Sequence, residues 1–375
     1  MTIAVYITPS YLRLWPILER RIDTDIRLTR AELTEFAAHA SLEGDGFSSV
    51  KEACYENPHK MARIPAKALG NWTISRCGWR RPLTSDPAPI NGPNAAFQLT
   101  ADLASLDDFN HLKSIHPKYF SEEVEHVITR HALSCGIRTL FLGYIGPQEV
   151  HVIGDEPREH LHCRGMSSRH RAMLDAMLEF LVKRSIAEGD AKIYGHEAIS
   201  GFALLMRGRF PKFIGSEFCR TEQERDALFP IRHGDICESE FPDAAFDLIV
   251  SNDVLEHVRD IDTALRETAR ILKVRGRLLA TFPFLFDRAV SVRFASVVDG
   301  QVVHHFEPIY HGNPMDKEGG SLVFEIPGWD IIDRARQAGF SCAHMRFVCD
   351  QDKGIVASTR HNQSPGGVML AVFDK

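Results

Sequence analysis

The pattern of apolar and polar residues is most regular between residues 246 and 286. Residues 246–251 form an apolar run with β-branched side chains, which is typical of a strand buried on both faces. After Asp260, apolar residues recur at helical spacing with charged residues opposite, which predicts an amphipathic helix that ends at Gly276. Residues 277–283 predict the next strand. Strand, crossover helix and strand make a right-handed βαβ unit, and therefore a parallel sheet.

The second half of the chain continues this alternation. Further strands are predicted at 192–195, 213–215, 232–234, 341–348 and 367–373, and further helices at 200–206 and 329–338. Residues 287–327 are predicted to form an irregular insertion. The predicted fold class is α/β, with a Rossmann-like, mostly parallel seven-stranded sheet that has a terminal antiparallel strand.

Residues 1–170 show no such rhythm. Their predicted elements are short, with strands at 138–143 and 149–154, and a strong helix at 167–187 leads into the second half. A chain of 375 residues is too long for one ordinary core. We therefore predict two domains: an N-terminal α+β domain over 1–170, which shapes substrate access or an oligomer, and an α/β domain over 171–375.

Composition excludes several classes of function. Apolar residues make up 44% of the chain, charged residues 25%, and the formal net charge is −6, without a basic stripe that could neutralise nucleic-acid phosphates. No stretch approaches the roughly 20 apolar residues of a membrane span. The eight cysteines are scattered and include no C-x-x-C pair, which favours reduced thiols in a cytoplasmic protein. We therefore predict neither a nucleic-acid nor a membrane partner.

Three acidic residues, Glu197, Glu217 and Asp235, stand at the ends of successive predicted strands. In nucleotide-binding α/β sheets, an acidic residue about 20 positions after the first turn accepts the ribose hydroxyls. Glu217 has that spacing from Glu197, and a carboxylate can accept both hydroxyl protons. Asp235 could accept from an adenine amino group. Each of the three could instead be a helix N-cap or a turn residue.

The segment FPDAAFDLIVSNDVLEHVRDIDTALRETARILKVRGRLLATFPF resembles the central segment of class I S-adenosylmethionine-dependent methyltransferases, of the type 11 group. The resemblance covers roughly residues 190–375. It implies methyltransferase activity with S-adenosyl-L-methionine as the cofactor. It also implies a cofactor site at the strand ends, made of Glu197, Ser200, Gly201, Glu217, Asp235, Ile236, Asn252, Asp253, Val254 and His257. His257 could equally be a structural cap.

The first motif of that family departs from the family pattern. The family has an acidic residue followed by glycines at alternate positions, whereas residues 197–203 read EAISGFA and place only Gly201 at a glycine position. We expect cofactor binding to be retained, with Ser200 and the helix N-terminus supplying donors. The alternative is a non-catalytic Rossmann-fold module that has lost the cofactor. A dinucleotide-dependent oxidoreductase is disfavoured, because no G-x-G-x-x-G follows a predicted strand.

Methyl transfer from a sulfonium depends mainly on alignment, and a base is needed when the acceptor is a hydroxyl. Histidine suits that role, because its pKa lies near neutral pH. The insertion carries His304, His305 and His311, which are the candidate catalytic residues for O-methylation of a small-molecule or glycan-like acceptor. Their spacing matches no metal-ligand motif, so no metal is predicted. Whether the chain forms a homo-oligomer is left open.

Overall fold

The structure, a computed structural model, describes residues 97–313, 319–359 and 364–375, together with four short strands nearer the N-terminus. The other elements predicted before residue 97 lie outside the described residues. The chain divides into two compact units, of which the larger comprises Gly92–Cys219 and His233–Lys375 and the smaller comprises Met1–Asn91 and Arg220–Arg232. The boundary predicted at residue 170 therefore falls inside the larger unit.

The described part of the smaller unit contains two antiparallel strand pairs and a short helix. Arg27–Leu28 pairs with Ala62–Arg63, and Thr73–Ser75 pairs with Gly78–Arg80. The helix, Glu222–Leu228, begins after Thr221, whose hydroxyl oxygen accepts a hydrogen bond from a first-turn amide at 3.1 Å. This is an ordinary N-cap.

The larger unit is built on an eight-stranded sheet. In chain order its strands are β1 (Gln98–Leu103), β2 (Ile193–Gly195), β3 (Phe213–Glu217), β4 (Arg232–His233), β5 (Phe246–Asn252), β6 (Leu272–Thr281), β7 (Cys342–Asp350) and β8 (Val368–Asp374). Their order across the sheet is β4-β3-β2-β5-β6-β8-β7-β1. Strands β2, β3, β5 and β6 are parallel, and β8 is antiparallel to both of its neighbours. The predicted α/β sheet with an antiparallel strand is confirmed, and β1 adds an eighth strand beside β7.

Helices cover the sheet. They are α1 (Leu106–Ile115), α2 (Glu122–Cys135), α3 (Ser168–Lys183), α4 (Gly201–Arg209), α5 (Ile261–Ile271) and α6 (Ile331–Gln337), with shorter helical turns at Pro117–Phe120, Pro147–Glu149, Pro157–His160 and Leu255–His257. Helix α3 is buried on nearly all sides and packs against β6 and β8. Helix α5 begins after Asp260, whose carboxylate accepts a hydrogen bond from the Thr263 amide at 3.1 Å.

The prediction that the helix after Asp260 ends at Gly276 is wrong. Helix α5 ends at Ile271, and Gly276 lies within β6. Phe246 pairs with Leu272 but Leu248 pairs with Arg277, so the residues between bulge out of the ladder. A Cβ at Gly276 would lie 2.8 Å from the Lys273 carbonyl oxygen. This glycine therefore permits a close backbone approach in a bulge rather than a helix end.

The remaining strands form small antiparallel pairs. Ile137–Thr139 pairs with Gly143–Ile145, and Val150–Val152 pairs with Leu161–Cys163, in place of the two longer strands predicted there. The insertion contains three pairs: Val292–Arg293 with Glu325–Ile326, Ala295–Val298 with Gln301–His304, and Tyr310–His311 with Ser321–Leu322. It is thus more ordered than predicted. In the described part of the chain, no helix has the length and hydrophobicity that crossing a membrane requires.

Candidate active site

The carboxyl ends of β2, β3 and β5 meet at one edge of the sheet, where parallel α/β sheets place their ligands. The backbone is tightly packed there. Gly215 in β3 leaves no room for a side chain, because an added Cβ would lie 2.5 Å from the Glu197 carbonyl oxygen. The loop between β2 and α4 is therefore pressed against the neighbouring strand.

Glu217, at the end of β3, holds that loop in place. Its Oε1 accepts hydrogen bonds from the amides of Ala198 and Ile199, at 2.7 and 3.0 Å. Burial raises the pKa of Glu217, and the two amides act in the opposite direction. The residue predicted to accept ribose hydroxyls thus has one oxygen engaged by the loop of the glycine-poor motif.

The loop itself is filled by side chains. Ile199 is 5% exposed, and Phe202 is fully buried with its ring stacked on that of His170 at a centroid distance of 5.3 Å. Ser200 is the N-cap of α4, and its Oγ accepts from the Ala203 amide at 3.0 Å. Gly201 is the first residue of that helix. Ser200, predicted to donate to the cofactor, therefore has two partners within the chain: its oxygen caps a helix, and its hydroxyl hydrogen-bonds to Glu197.

Glu197 and Asn252, at the ends of β2 and β5, are brought together. The Asn252 Nδ2 donates to Glu197 Oε1 at 2.5 Å. Burial raises the pKa of Glu197, and the hydrogen bonds from Ser200 and Asn252 and the charge of Arg169 oppose that rise. The amide oxygen of Asn252 is buried and has no hydrogen-bond partner among the described residues. It is therefore an acceptor in need of a donor.

Asp253 follows Asn252 with a left-handed backbone, φ +50°, which aspartate tolerates better than most residues. Its carboxylate binds the Arg158 guanidinium through two hydrogen bonds of 3.0 and 2.8 Å, and Arg169 Nε lies 3.4 Å away. Burial alone would raise the pKa of Asp253, but the two arginines hold it well below its usual range. The residue predicted to line the cofactor is thus the centre of an ion-pair network.

Sequence reasoning missed both arginines of this network. Arg158 and Arg169 lie in the first half of the chain, and Glu159 binds both, with two bonds of 2.9 Å to Arg169. Arg169 Nη1 is buried and lacks a hydrogen-bond partner in the described ranges. No local pattern marks these residues, because Asp253, the strand-end carboxylate that they share, lies far along the chain.

The Asp235 carboxylate accepts two hydrogen bonds from residues that the structure describes. Its Oδ1 accepts from the Cys237 amide and its Oδ2 from Arg259 Nη2, each at 2.8 Å. Ile236 beside it is half-buried against the core, and Val254 is half-buried at the start of the turn after β5. The position of Asp235 at a strand end is as predicted, but its carboxylate also serves as a turn and ion-pair residue.

The three candidate catalytic histidines are in different surroundings. His304 and His305 lie at an exposed hairpin, where His305 Nε2 is 2.8 Å from Ser296 Oγ. His311 is half-buried, and its Nδ1 lies 3.6 Å from Glu256 Oε1. The Glu256 carboxylate raises the pKa of His311 more than burial lowers it. His257 Nε2 also lies 3.6 Å from Oε1, and the rings of His257 and His311 meet edge-on at a centroid distance of 5.2 Å.

Residues 211–280 match a family model described as a methyltransferase domain. This segment, called the methyltransferase segment below, is therefore similar to that family of domains. The methyltransferase segment contains most of the quoted segment that carries the resemblance, residues 241–284, so the resemblance is confirmed there. It contains β3 to β5, α5 and most of β6, and with them Glu217, Asp235 and Asn252.

Curated relatives match the chain over a short length. Uncharacterized methyltransferases of Mycobacterium bovis and Mycobacterium tuberculosis are 40% identical over 67 residues, which are 17% of this chain and 34% of theirs. The chain thus spans about a third of the length of the curated relatives it matches.

Solved structures with broader coverage are more distant. An S-adenosylmethionine-dependent methyltransferase from Mesorhizobium loti is 15% identical, with a TM-score of 0.33, over 54% of this chain and 100% of that one. One from Methanosarcina mazei is 12% identical, with a TM-score of 0.32, over 52% and 96%. Likenesses of this size give no support for a particular activity.

Proposed function

We propose that the chain is an S-adenosyl-L-methionine-dependent methyltransferase whose cofactor binds at the carboxyl ends of β2, β3 and β5. The family of residues 211–280 supports the reaction class. One observation carries the placement: Arg169 Nη1 and Asn252 Oδ1 are both buried without hydrogen-bond partners among the described residues. Both side chains interact with Glu197, so an unused donor and an unused acceptor flank one carboxylate.

These groups fit the amino-acid end of the cofactor. A free donor on Arg169 suits a carboxylate, and the oxygens of Asn252 and Glu197 suit an ammonium group. An unsatisfied buried polar group costs about 1–3 kcal/mol, so binding such a ligand would relieve two of them. The Asp253 network would fix Arg169, and Glu217 would fix the loop and offer its other oxygen to a ribose hydroxyl. We assign the adenine end to Asp235 and Ile236.

We assign binding of the methyl acceptor to the insertion, residues 287–327. When bound, the cofactor would supply an activated sulfonium methyl, so the chain has chiefly to align the acceptor and remove its proton. We propose a small-molecule or glycan-like acceptor that is methylated on a hydroxyl oxygen. His304, His305 and His311 are the candidate bases, and His311 is the one that contacts a residue just after β5.

The alternative is a non-catalytic Rossmann-fold module. It is favoured by the two loop amides that already occupy Glu217 Oε1, and by the two hydrogen bonds that already occupy the Asp235 carboxylate. In that reading the acidic strand ends would stabilise the fold and leave no adenosine site.

Calorimetry on the full chain separates the two. We expect S-adenosyl-L-methionine and S-adenosylhomocysteine to bind, and NADH not to bind. Asn252→Ala should weaken both complexes by roughly 10- to 150-fold, because hydrogen bonds to charged groups contribute about 1.5–3 kcal/mol. Asn110→Ala, on the exposed face of α1, is the matched control and should bind as the wild type does.

Each other outcome has a defined meaning. If neither sulfur ligand binds to folded protein, the non-catalytic module is the better description. If both bind but Asn252→Ala binds equally well, the cofactor lies elsewhere. Thermal unfolding of each variant, in the absence of ligand, shows that lost binding is not lost folding.

Residues before 170 take part in this proposal. Arg158, Glu159 and Arg169 come from that region, which supports a role in forming the substrate-side edge of the sheet. Formation of a homo-oligomer through residues 1–170 stays a prediction, and light scattering on the full chain tests it.

A further inference from the structure

The Glu256 carboxylate occupies an unusual position. Its side chain has no solvent exposure, and neither oxygen has a hydrogen-bond partner among the residues that the structure describes. A buried carboxylate in this state is strongly disfavoured unless a proton or a cation compensates it. The short helix Leu255–His257 holds Glu256 just after β5 ends. A compensating cation would therefore bind at the same edge of the sheet as the proposed cofactor.

Two imidazole nitrogens face this carboxylate. His257 Nε2 and His311 Nδ1 each lie 3.6 Å from Glu256 Oε1, and one ligand atom from each of the three residues lies within 4.8 Å of the others. In a tetrahedral site with bonds of about 2.1 Å, neighbouring ligand atoms are roughly 3.4 Å apart. The two imidazole nitrogens therefore lie at close to ligand spacing from Oε1, and the separation of all three atoms is bounded at 4.8 Å.

The other nitrogen of His257 supports the same conclusion. His257 Nδ1 donates to the Leu322 carbonyl oxygen at 2.8 Å, so in the neutral ring Nε2 carries a lone pair directed toward the Glu256 side. Metal-binding histidines generally donate their second ring N–H to a carbonyl or carboxylate, which fixes the tautomer and the ring. A lone pair beside a buried carboxylate is repulsive, and a cation between them removes the repulsion.

We infer that Glu256, His257 and His311 bind one divalent transition-metal ion through Oε1, Nε2 and Nδ1. Two imidazoles and one carboxylate suit Zn²⁺, Mn²⁺ or Fe²⁺ better than Mg²⁺ or Ca²⁺, which prefer oxygen ligands. This site goes beyond the proposed function and revises the expectation that the chain has no metal. The sequence spacing gave no sign of it, because His311 belongs to a separate hairpin.

The site has room for further ligands. Three protein ligands leave at least one coordination position open, as in catalytic rather than structural zinc sites. The His311 side chain is 35% exposed, so an oxygen of water or of an acceptor can approach from that side. The neighbouring Asp253 is engaged by Arg158 and is not assigned as a ligand. The inference makes His311 a ligand rather than the base.

A competing explanation is a plain ion pair, in which protonated His311 alone compensates Glu256. Metal-binding measurements distinguish the two. Tag-free full-length protein is stripped with a chelator and titrated calorimetrically with Zn²⁺, Mn²⁺ and Mg²⁺, and bound metal is counted by mass spectrometry after dialysis. We expect about one tightly bound Zn²⁺ or Mn²⁺ per chain that His311→Ala loses, and little or no Mg²⁺ binding.

The matched control is His305→Ala, which removes an exposed histidine of the same insertion. Loss of an outer-shell partner costs about 10- to 100-fold in metal affinity, and loss of a ligand should cost at least as much. His311→Ala should also lose the rise in unfolding temperature that the metal gives the wild type, while His305→Ala keeps it. Equal metal binding by wild type and His311→Ala, or none by either, would overturn the inference. Neither readout depends on S-adenosyl-L-methionine, so the proposed function stands or falls separately.

Discussion

His196 makes the stability of the larger unit depend on pH. It follows β2, is 6% exposed, and its ring meets that of Tyr194 edge-on at 5.2 Å. Its Nδ1 is buried without a hydrogen-bond partner among the described residues. Burial lowers the pKa of His196 from 6.5 to about 3. The native protein therefore keeps this imidazole neutral at a pH where the unfolded chain protonates it.

The sign and the size follow from the two pKa values. Because the folded pKa is the lower one, the contribution is fully present above pH 6.5 and is lost as the pH falls toward 3. Each unit of difference corresponds to about 1.4 kcal/mol. Between pH 7.5 and pH 5.0 the free energy of unfolding should therefore fall by about 2 kcal/mol through this residue alone.

His196→Phe removes the titrating group and keeps an aromatic ring beside Tyr194. Urea denaturation at pH 7.5 and 5.0 gives the free energy of unfolding of each protein. The wild type should lose about 2 kcal/mol more than His196→Phe on acidification, whatever the variant's stability at pH 7.5. His126→Gln, an exposed histidine of α2, should lose as much as the wild type. An equal loss in wild type and His196→Phe would refute the reasoning.

Three further outcomes are expected from urea denaturation at pH 7.5. Glu217→Ala leaves two buried loop amides without an acceptor and should cost roughly 2–4 kcal/mol; Glu217→Gln should cost much less, and an equal cost would contradict the assigned role. Asp253→Asn removes one of the two carboxylates shared by Arg158 and Arg169 and should cost about 3–5 kcal/mol, whereas Asp333→Asn, in an exposed ion pair, should cost under about 1 kcal/mol. Gly215→Ala should destabilise by at least about 1 kcal/mol because the added Cβ would lie 2.5 Å from a carbonyl oxygen. Gly208→Ala, in open space within α4, should be neutral or stabilising; the opposite order would refute the packing.

The βαβ unit could be predicted because its pattern is local. An apolar run followed by a helical repeat specifies β5 and α5 from neighbouring residues alone. The end of α5 could not be placed, because a glycine serves equally as a helix end and in a bulge. Only the pairing of β5 with β6 decides between them.

Some residues of the candidate site could likewise be predicted from the sequence, and others could not. Glu197, Glu217 and Asn252 could be predicted, because each ends a strand and parallel strands end at one edge. Arg158 could not, since its contact with Asp253 joins positions that no sequence spacing relates. Whether a strand-end carboxylate binds a ligand or backbone amides can be decided only from atomic positions, and Glu217, which accepts from two loop amides, is an example.

Strand β1 covers what would otherwise be an edge strand of the sheet, β7. Through the ladder from Met345–Leu103 to Asp350–Gln98 it covers the outer side of β7, leaving that strand no bare hydrogen-bonding groups over this length. A fragment beginning at residue 171 would uncover them, inviting strand-to-strand self-association, and would discard Arg158 as well. A fragment that keeps the pairing of β1 with β7 therefore has to start ahead of residue 98, well upstream of the methyltransferase segment.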